Sequence, residues 1–410
     1  MEGQAVRVMH VVRFHGTGGV ECTVAGFLHG TADRRLEHHV LVAARPLHPY
    51  FRALVRERAA SVHHARFLAG VRVPRWPPFL RRAHLERIVR RVSPHLLLLY
   101  CRLGDLRFVQ AAGHSRCGAV CVHYEHGTAW GTQEGACVTD FLASLKGVIA
   151  VSRAAGRVLE LRYGCPPAMI RLCYNGVRLP APPEGAVPKE LPVSRPLRLA
   201  YAGRLDRRKA PVVAVHVLAK LLQRGGDFEL HVAGAGTELA SMRAAAARLG
   251  VAQRVVFHGF VEDMPAFYQD VDVLLCLSIQ ETLANVCVEA GYFGCPVVGA
   301  RVDGIPEVVV DGETGFCVRP ELPLESYEAL GGSPLGDGHV VYDPDADCLA
   351  QARLVSPDAV ADAVLRIVAN GPAFRQMSAR AHEVTARRFD FQAYAAHLNE
   401  LLLEFAGWPG

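Results

Sequence analysis

The sequence predicts an α/β protein with two doubly wound, Rossmann-like domains that face each other across a cleft. Three observations support this prediction. Short apolar runs alternate with helix-like patterns in both halves of the chain, as expected for parallel sheets covered by helices. At 410 residues the chain is too long for a single hydrophobic core. Six prolines between residues 178 and 196 interrupt the alternation near the middle of the chain.

The first domain is predicted to span residues 1–180, and a proline-rich linker follows at residues 181–196. Because sheet strands are short apolar runs and amphipathic helices repeat every 3.6 residues, the two kinds of element can be separated by pattern. Strands are predicted at residues 6–12, 38–43, 96–100, 118–124 and 148–151, and helices at residues 20–30 and 80–92.

The second domain is predicted to span residues 197–385 and repeats the same alternation. Residues 321–354 interrupt it, and their glycines and aspartates predict a long loop or an insertion. A final helix, residues 386–410, is expected to pack back on the first domain. Strands are predicted at residues 197–202, 228–233, 255–258, 273–277 and 296–300, and helices at 212–223, 239–249, 265–270 and 285–293.

A basic turn follows the first strand of the second domain, in the run Gly203-Arg204-Leu205-Asp206-Arg207-Arg208-Lys209. The next helix is predicted to begin near Pro211, and cations are electrostatically misplaced at a helix N-terminus. A bound phosphate reverses that sign, because backbone N–H groups and cations can share it. We therefore predict that Arg204 and Lys209 bind a diphosphate. For Arg207 and Arg208 a solvated turn is the simpler interpretation.

Two glutamates, Glu281 and Glu289, lie with seven residues between them after a later strand of the same domain. Glu289 falls in an otherwise apolar stretch, about two turns into the predicted helix, and a buried carboxylate needs partners. The vicinal hydroxyls of a ribose or hexose are suitable donors. The alternative for Glu289 is a salt bridge to an arginine. Together with the Gly-Ala-Gly turn at Gly234, these residues suggest a nucleotide-sugar site.

The first loop, Gly16-Thr17-Gly18-Gly19-Val20-Glu21, invites comparison with a dinucleotide-binding turn. It lacks the third glycine of that motif, and Ala44-Arg45 stands where an acidic residue would hold the ribose. Arg45 leaves open a reductase that uses a 2′-phosphorylated cofactor, although the pattern disfavours it. The alternative is that Gly18 and Gly19 let the backbone approach a phosphate or sugar.

His126, in Tyr124-Glu125-His126-Gly127, follows a strand of the first domain and is expected at its carboxyl end. Ligands of doubly wound sheets bind at this edge. A purely structural histidine is an equally good interpretation, since the chain contains 19 histidines.

Residues 52–91 contain eleven arginines and only two acidic residues, with Trp76 and Phe79 among them. A solvated helix face is the favoured interpretation, with arginines outward and Leu85 and Ile88 inward. A membrane-surface patch, a nucleic-acid patch and a site for an anionic acceptor are alternatives.

The cysteines and termini predict a cytoplasmic protein, peripheral at most to the inner face of a membrane. Twelve cysteines show no metal spacing, and several lie in apolar runs, which is typical of reduced core thiols. Residues 1–4 lack the basic start of a secretory leader. No apolar run approaches the length of a membrane span. We expect no metal and no cofactor.

Taken together, these residues resemble the retaining glycosyltransferases of family 4, which have the GT-B fold. The resemblance covers nearly the whole chain and is most specific from residue 201 to 318. It rests on the following matches: Gly203-Arg204-Leu205 with Lys209, Phe257-His258-Gly259-Phe260, the Glu281 and Glu289 pair, Gly304-Ile-Pro-Glu-Val-Val, Asn175-Gly176-Val177 and Gly18-Gly19-Val20-Glu21.

The resemblance implies a role for each matched residue. Arg204 and Lys209 would neutralise the leaving diphosphate, Glu289 would hold the ribose, and Glu281 would contact the transferred sugar. The amides of Leu283, Ala284 and Asn285 would lie near the sugar or the β-phosphate, Gly18 and Gly19 near the phosphate, His126 near the reacting sugar and Val261 near the base.

Two departures from the family pattern affect the site. Leu283-Ala284 stands where Phe-Gly or a similar pair is usual, which would narrow the sugar pocket, and Ala210 replaces a glycine. The segment at 321–354 is also longer than usual and is expected on the acceptor side.

These residues predict a metal-independent, retaining hexosyltransferase that uses a nucleotide sugar, with a UDP-sugar favoured. The acceptor would be a small natural-product core such as an aminocyclitol, a glycan or a lipid-linked sugar, and nucleic acid is not an expected partner. Two alternatives remain: a non-catalytic nucleotide-sugar-binding protein, and a GT-B epimerase or phosphorylase.

Overall fold

The computed structural model describes residues 5–14, 18–43, 46–336 and 338–408. The chain divides into two units, one formed by Met1–Gly176 with Phe391–Gly410 and the other by Val177–Asp390. Each unit contains one parallel sheet flanked by helices, so the predicted fold class is confirmed. The predicted strands and helices between residues 6 and 300 agree with the observed ones to within two residues at either end, whereas the final helix, predicted at 386–410, is observed at Phe391–Ala406.

The first unit is built on a seven-stranded parallel sheet with the order β3-β2-β1-β6-β7-β8-β9. The order reverses between β1 and β6, which are paired neighbours. A separate antiparallel hairpin is formed by β4 and β5. The strands of the first unit are β1 (Val6–Val12), β2 (Leu36–Val42), β3 (Ser61–His64), β4 (Phe67–Leu68), β5 (Val71–Arg72), β6 (Leu96–Leu99), β7 (Val120–Glu125), β8 (Gly147–Ala150) and β9 (Ile170–Leu172).

Eight helices belong to the described part of the first unit. The last of them, α16, comes from the C-terminal end of the chain and pairs with α1 and its flanking residues: Tyr394 packs edge-on to Phe27, and Asn399 donates to Thr31 at 3.0 Å. The helices are α1 (Gly19–Gly30), α2 (Pro49–Arg58), α3 (Phe79–Val92), α4 (Leu106–Ser115), α5 (Thr128–Gly131), α6 (Ala136–Ala143), α7 (Arg153–Tyr163) and α16 (Phe391–Ala406).

The second unit is built on a six-stranded parallel sheet with the order β12-β11-β10-β13-β14-β15. The order reverses between β10 and β13, which pair through Leu199 and Ala200. Its strands are β10 (Leu197–Ala202), β11 (Phe228–Ala233), β12 (Val255–Gly259), β13 (Val273–Cys276), β14 (Val297–Ala300), β15 (Gly315–Val318), β16 (Val340–Asp343) and β17 (Cys348–Gln351).

Helices alternate with the strands of this sheet along the chain, and β16 and β17 form a separate antiparallel hairpin. Among the described residues no helix combines the length and the apolar character needed to cross a bilayer. The helices are α8 (Pro211–Gln223), α9 (Leu239–Arg248), α10 (Met264–Asp270), α11 (Asn285–Tyr292), α12 (Ile305–Val308), α13 (Glu325–Ala329), α14 (Pro357–Ile367) and α15 (Gly371–Arg388).

The proline-rich stretch packs on the second unit instead of standing apart from it. The Lys189 amide donates to Ser378 Oγ at 2.8 Å, and the Arg195 guanidinium donates to both oxygens of Asp272 at 2.7 and 2.8 Å. Asp272 also accepts from the Arg198 amide at 2.8 Å, so it joins the proline-rich stretch to the start of β10. The units therefore divide near residues 176 and 390, and not at the predicted 180 and 386.

The segment at 321–354, predicted as a long loop or an insertion, has regular structure and is not a long loop. It contains α13 and the β16–β17 hairpin. The run Asp343-Pro-Asp345-Ala-Asp347 is the hairpin turn, in which Asp343 Oδ1 accepts from the amides of Asp345 and Ala346. The aspartates that suggested an irregular loop therefore stabilise a tight connection, as aspartates commonly do in turns.

The strands that the sequence did not predict lie mainly at sheet edges. β3, β9 and β15 are three or four residues long and only partly buried. Such strands lack the continuous apolar run that identifies a central parallel strand.

Candidate functional site

The loops after β10 and β13 meet at the carboxyl edge of the second sheet. Because the strand order reverses between these two strands, their connections leave the edge in opposite directions and open a crevice there. The basic turn follows β10, and the loop with Glu281 follows β13. The Ile279 amide donates to the Arg208 carbonyl at 2.8 Å, which ties the two loops directly.

Lys209 and Glu281 form an ion pair in this crevice. The Lys209 ammonium donates to Glu281 Oε2, and both side chains are largely buried. Ser278 Oγ lies 3.4 Å from the same carboxylate oxygen. The sequence placed both residues at strand ends, and the structure brings them into contact with each other as well.

The turn that carries Lys209 is rigid. Asp206 accepts from the Arg208 amide and caps the short 3-10 turn Arg207–Lys209, and the Tyr201 hydroxyl donates to the Lys209 carbonyl at 2.8 Å. Ala210 then adopts a left-handed conformation with φ 47°, and α8 begins at Pro211 as expected. The left-handed conformation at this position favours glycine, so the alanine found here is conformationally unfavourable.

Arg204 lies on the exposed side of the same turn. Its side chain is 66% exposed, and its Nη1 lies 3.3 Å from Asp206 Oδ2. Arg204 is therefore available to an anion from solvent, whereas Lys209 is held by Glu281.

The Gly-Ala-Gly turn after β11 packs against the basic turn. A Cβ atom on Gly234 would lie 1.9 Å from the Gly203 carbonyl oxygen, and one on Gly236 would lie 2.3 Å from that of Leu205. Both glycines also have positive φ, at 151° and 159°. Only glycine fits at either position, so these residues keep the two backbones in contact.

Glu289 lies one turn into α11, closer to its start than predicted. Its partner is Tyr268, whose hydroxyl donates to Glu289 Oε2 at 2.9 Å; the alternative of a salt bridge to arginine finds no support. Burial raises the pKa of Glu289 to about 7, and the hydrogen bond from Tyr268 opposes that rise. The carboxylate is thus held by a neutral donor, which leaves its charge uncompensated.

The remaining residues predicted for the second domain lie around these loops. Leu283 and Ala284 are buried, and Asn285 begins α11, so the amides at this N-terminus follow Glu281 directly. The narrowing of a sugar pocket by Ala284 stays a prediction. Val261 is half-buried after β12, next to Phe260, which is exposed.

The first unit holds the other predicted residues. Gly18 caps α1 and Gly19 is its first residue, whereas Gly16, Thr17, Ala44 and Arg45 lie outside the described residues. His126 packs between Tyr124 and Tyr100, with ring centroids at 4.3 and 5.6 Å, and desolvation lowers its pKa to about 3. His126 is therefore neutral at physiological pH. Its role near a sugar stays a prediction.

Three acidic residues and one tyrosine were missed by the sequence analysis. Glu125 builds the turn below His126, Glu238 and Asp303 tie loops together around Lys209 and Glu281, and Tyr268 holds Glu289. Each of these residues forms hydrogen bonds with residues that are distant in the sequence or that belong to a buried turn. Local periodicity does not reveal hydrogen bonds of this kind. The position of Asp303 directly before the Gly304 motif is the only available signal.

Two family models match the chain. One, described as glycosyltransferase family 4, matches residues 17–181, and the other, described as glycosyl transferases group 1, matches residues 196–331. Together they cover most of both units, and they agree with the resemblance drawn from the motifs.

Curated relatives match over part of their length. A D-inositol 3-phosphate glycosyltransferase of Corynebacterium diphtheriae is 36% identical over 140 residues, which is 32% of this chain and 33% of the relative. A 2-deoxystreptamine glucosyltransferase of Streptomyces kanamyceticus is 37% identical over 113 residues, 27% of this chain and 29% of the relative. The matches thus span about a third of these relatives.

Among solved structures, HepE of Anabaena in complex with UDP and glucose superposes with a TM-score of 0.72 at 17% identity. The match covers 97% of this chain and 100% of HepE. At this level of identity the likeness establishes the fold.

Proposed function

Because this chain belongs to glycosyltransferase family 4 and has the GT-B fold, we propose that it transfers a hexose from a nucleotide sugar to a hydroxyl group of an acceptor. The observation that carries the proposal is the contact between Lys209 and Glu281 at the point where the strand order reverses, with Glu289 one turn into the next helix. A cation for a phosphate and two carboxylates for hydroxyl groups are the groups that a nucleotide sugar requires.

The Lys209–Glu281 pair has a direct use in donor binding. Without a ligand each side chain neutralises the other. A bound donor would offer a diphosphate to Lys209 and sugar hydroxyls to Glu281, so the ammonium would keep an anionic partner and the carboxylate would keep hydrogen-bond donors. Arg204, exposed on the same turn, would add a second cation.

We propose a UDP-sugar as the donor and a reaction with retention of configuration. The bond between the anomeric carbon and the β-phosphate oxygen breaks, and its electron pair goes to the diphosphate. The acceptor oxygen bonds to the same face of the sugar, and its proton passes to the departing phosphate oxygen. Lys209, Arg204 and the N-terminus of α8 stabilise the developing charge, so the proposed reaction uses neither a metal nor a cofactor.

For the acceptor we propose a polyhydroxylated cyclitol. The relatives named above act, by their names, on an inositol phosphate and on 2-deoxystreptamine, and both are six-membered carbocycles with several hydroxyl groups. A glycan or a lipid-linked sugar is the second class to be assayed.

Ligand-induced stabilisation and product formation test the proposal. We expect UDP and one UDP-sugar to raise the thermal midpoint more than GDP, ADP or CMP derivatives, because a ligand that binds only the folded state stabilises it. With a cyclitol acceptor, the anomeric configuration of the product by NMR should equal that of the donor. Activity should survive a chelator.

Lys209→Ala should reduce turnover by a factor of about 100 or more with folding intact, as expected for the loss of a charge-stabilising group. Lys220→Ala is the matched control, since Lys220 lies on α8 and forms an exposed ion pair with Asp358 of α14. Full activity of Lys209→Ala would contradict the phosphate role. Binding of a UDP-sugar without turnover on any acceptor would favour the non-catalytic alternative.

We further propose that part of the arginine-rich segment contacts an anionic membrane surface. Four large apolar side chains around the β4–β5 hairpin are exposed: Trp76 by 81%, Val71 by 71%, Leu68 by 58% and Phe79 by 56%. We call these residues, with Arg66, Arg72, Arg75 and Arg81, the basic-aromatic surface.

The arginines of this surface lie close to one another. Desolvation lowers the pKa of Arg81, and the neighbouring charges of Arg72 and Arg75 lower it further. Clustered cations beside exposed tryptophan and leucine suit an interface with anionic headgroups, where aromatic rings partition at the headgroup level. A solvated helix face explains the arginines of α3 but not the apolar exposure. All twelve cysteines are free thiols, which supports the cytoplasmic side.

Sedimentation with lipid vesicles tests this contact. The protein should bind vesicles that contain phosphatidylglycerol and not those of pure phosphatidylcholine, and high salt should weaken the binding. Trp76→Ser with Phe79→Ser should abolish it, whereas Arg375→Ala, which alters an exposed ion pair elsewhere, should not. Equal sedimentation of the double variant and the wild type would rule the surface out.

A further inference from the structure

We propose that Asp303 is a positioning residue for Glu281, and that the segment at 321–354 helps to select the transferred sugar through it. This inference rests on the proposed function, because it concerns the residue expected to hold the sugar. The segment is called the supporting segment below. Its residue 337 lies outside the described part of the chain.

Asp303 joins two distant parts of the second unit. Its side chain is 1% exposed. Oδ2 accepts from the Glu281 amide at 2.9 Å, and Oδ1 accepts from the Tyr342 amide at 2.7 Å. One carboxylate therefore bridges the loop after β13 and strand β16 of the supporting segment.

Backbone hydrogen bonds add a second connection to Tyr342 and a second connection to Glu281. The Asp303 amide donates to the Tyr342 carbonyl at 3.0 Å, and the Gly304 amide donates to the Glu281 carbonyl at 3.1 Å. The backbone of Glu281 is thus held on both its N–H and its C=O by one dipeptide. Because the backbone of Glu281 is fixed in this way, its carboxylate can move mainly by rotation about the side-chain bonds.

The same dipeptide packs directly on the residue after Glu281. A Cβ atom on Gly304 would lie 1.9 Å from the Thr282 carbonyl oxygen, so only glycine allows this approach. Any shift of residues 303 and 304 must therefore move the Glu281 loop.

The backbone conformation of Asp303 indicates that its carboxylate matters. Asp303 has φ 49°, in the left-handed region that favours glycine and that aspartate tolerates at a cost. Glycine would relieve that cost but would provide no acceptor for the two amides. A glycine at position 303 would therefore keep the backbone conformation and remove the two hydrogen bonds, so the two effects can be tested separately.

The supporting segment also reaches the phosphate side of the site. The Tyr327 hydroxyl and the Ser333 amide both donate to Glu238 Oε2, at 2.9 and 3.1 Å, and Glu238 is fully buried just after the Gly-Ala-Gly turn. Arg207 of the basic turn donates to the Pro334 carbonyl at 2.6 Å. The segment therefore contacts all three donor loops, and its expected role on the acceptor side stays a prediction.

Different residues of the site are therefore expected to bind the two parts of the donor, the nucleotide diphosphate and the sugar. Lys209 and Glu289 would bind the nucleotide diphosphate through groups that Asp303 does not touch. Glu281 would bind the sugar from a backbone that Asp303 holds. Because small displacements of a positioned group strongly reduce its effectiveness, loss of Asp303 should weaken sugar recognition and spare nucleotide binding.

Asp303→Gly tests this directly, because glycine suits the left-handed conformation while it removes both acceptors. We expect a thermal midpoint close to that of the wild type and an unchanged affinity for UDP. The extra affinity of the UDP-sugar over UDP should fall at least about tenfold, and kcat should fall with it. Asp303→Asn, which retains one oxygen acceptor and tolerates the same conformation, should give an intermediate loss.

Asp347→Gly is the matched control. Asp347 is also an aspartate with φ 49°, but it lies in the turn of the β16–β17 hairpin and accepts from the Tyr342 hydroxyl at 2.8 Å, so glycine there leaves both amide contacts of Asp303 in place. It should behave as the wild type does with both ligands.

The outcomes separate this inference from the proposed function. If the wild type binds no nucleotide sugar, the proposed function is wrong and this inference falls with it. If the wild type binds and Asp303→Gly keeps the full preference for UDP-sugar over UDP, the inference alone is overturned. It is also overturned if both Asp303 variants lose UDP and UDP-sugar binding equally or fail to fold, since Asp303 would then be only structural.

Discussion

Glu289 is the residue through which donor binding is expected to depend on pH. Burial raises its pKa to about 7, so near neutrality only part of the population carries the carboxylate that, in the proposed function, would accept the ribose hydroxyls. Tyr268 occupies one oxygen as a donor and favours the charged form. The same shift acts on folding with the opposite sense: the stability it contributes is present at low pH and is lost as pH rises through 7.

We therefore expect the affinity for the best-binding UDP-sugar to increase as pH rises from about 6 to about 8, with a midpoint near 7, as measured by calorimetry. Tyr268→Phe should move the midpoint to higher pH, because it removes the hydrogen bond that lowers the pKa of Glu289. Glu289→Gln should bind weakly at every pH. A midpoint that is the same in Tyr268→Phe as in the wild type would contradict the assignment.

At the scale of an element, α5 depends on one buried carboxylate. Glu125 accepts from the amides of Gly127 and Ala129 and from Thr128 Oγ1, and its Oε2 lies 3.0 Å from His123 Nε2. Desolvation would raise the pKa of Glu125, but the hydrogen bonds from His123 and Thr128 outweigh it and the pKa is lowered. Glu125 thus satisfies the N-terminus of a four-residue helix and shapes the turn that carries His126.

Glu125→Gln should lower the thermal midpoint by roughly 3–10 °C, because an amide cannot accept all of these bonds and a buried unsatisfied group costs about 1–3 kcal/mol. Glu134→Gln is the matched control, since the Glu134 side chain is 65% exposed and pairs with Arg162 at 3.3 Å, and the loss of such a surface pair should matter little. Scanning calorimetry of both variants checks the expectation. Equal midpoints for the two variants would contradict the structural role of Glu125.

Across the whole molecule, buried histidines make the protein sensitive to acid. Burial lowers the pKa of His38 to about 4 and that of His126 to about 3, and it lowers the pKa of His10 well below its usual value. His10 Nε2 and His38 Nδ1 share a hydrogen bond of 3.0 Å inside the first unit. A proton on either ring would place a positive charge in a desolvated site, and the opposing effect of the Asp33 carboxylate on His38 is smaller than that of burial.

For a group whose folded pKa is depressed, the stability contribution is present above the unfolded pKa and is lost as pH falls. We expect the thermal midpoint of the first unit to drop between pH 6.5 and about 4, the range set by His38. Glu289 acts in the opposite sense but in the second unit. His38→Phe should reduce the slope of the midpoint against pH. An unchanged slope in that variant would contradict this account.

The alternation of apolar strands and amphipathic helices was enough to predict both sheets and most element bounds. Central parallel strands such as β6 are continuous apolar runs, and these are recognisable in isolation. Edge strands and the β16–β17 hairpin were missed, because short, half-exposed strands carry a weak pattern. The hairpin turn lies in the segment that the sequence predicts as a long loop or an insertion, because aspartates are common both in tight turns and in irregular loops.

The sequence by itself determined which residues lie at strand ends and therefore which side chains were candidates for the site, Lys209, Glu281 and Glu289 among them. Only the tertiary structure decided that Lys209 meets Glu281, that Tyr268 holds Glu289 and that Asp303 links Glu281 to Tyr342. The physical reason is that local patterning depends on neighbours within a few residues. Contacts across a sheet depend on the order in which its strands assemble, and that order is set by the packing of the whole unit.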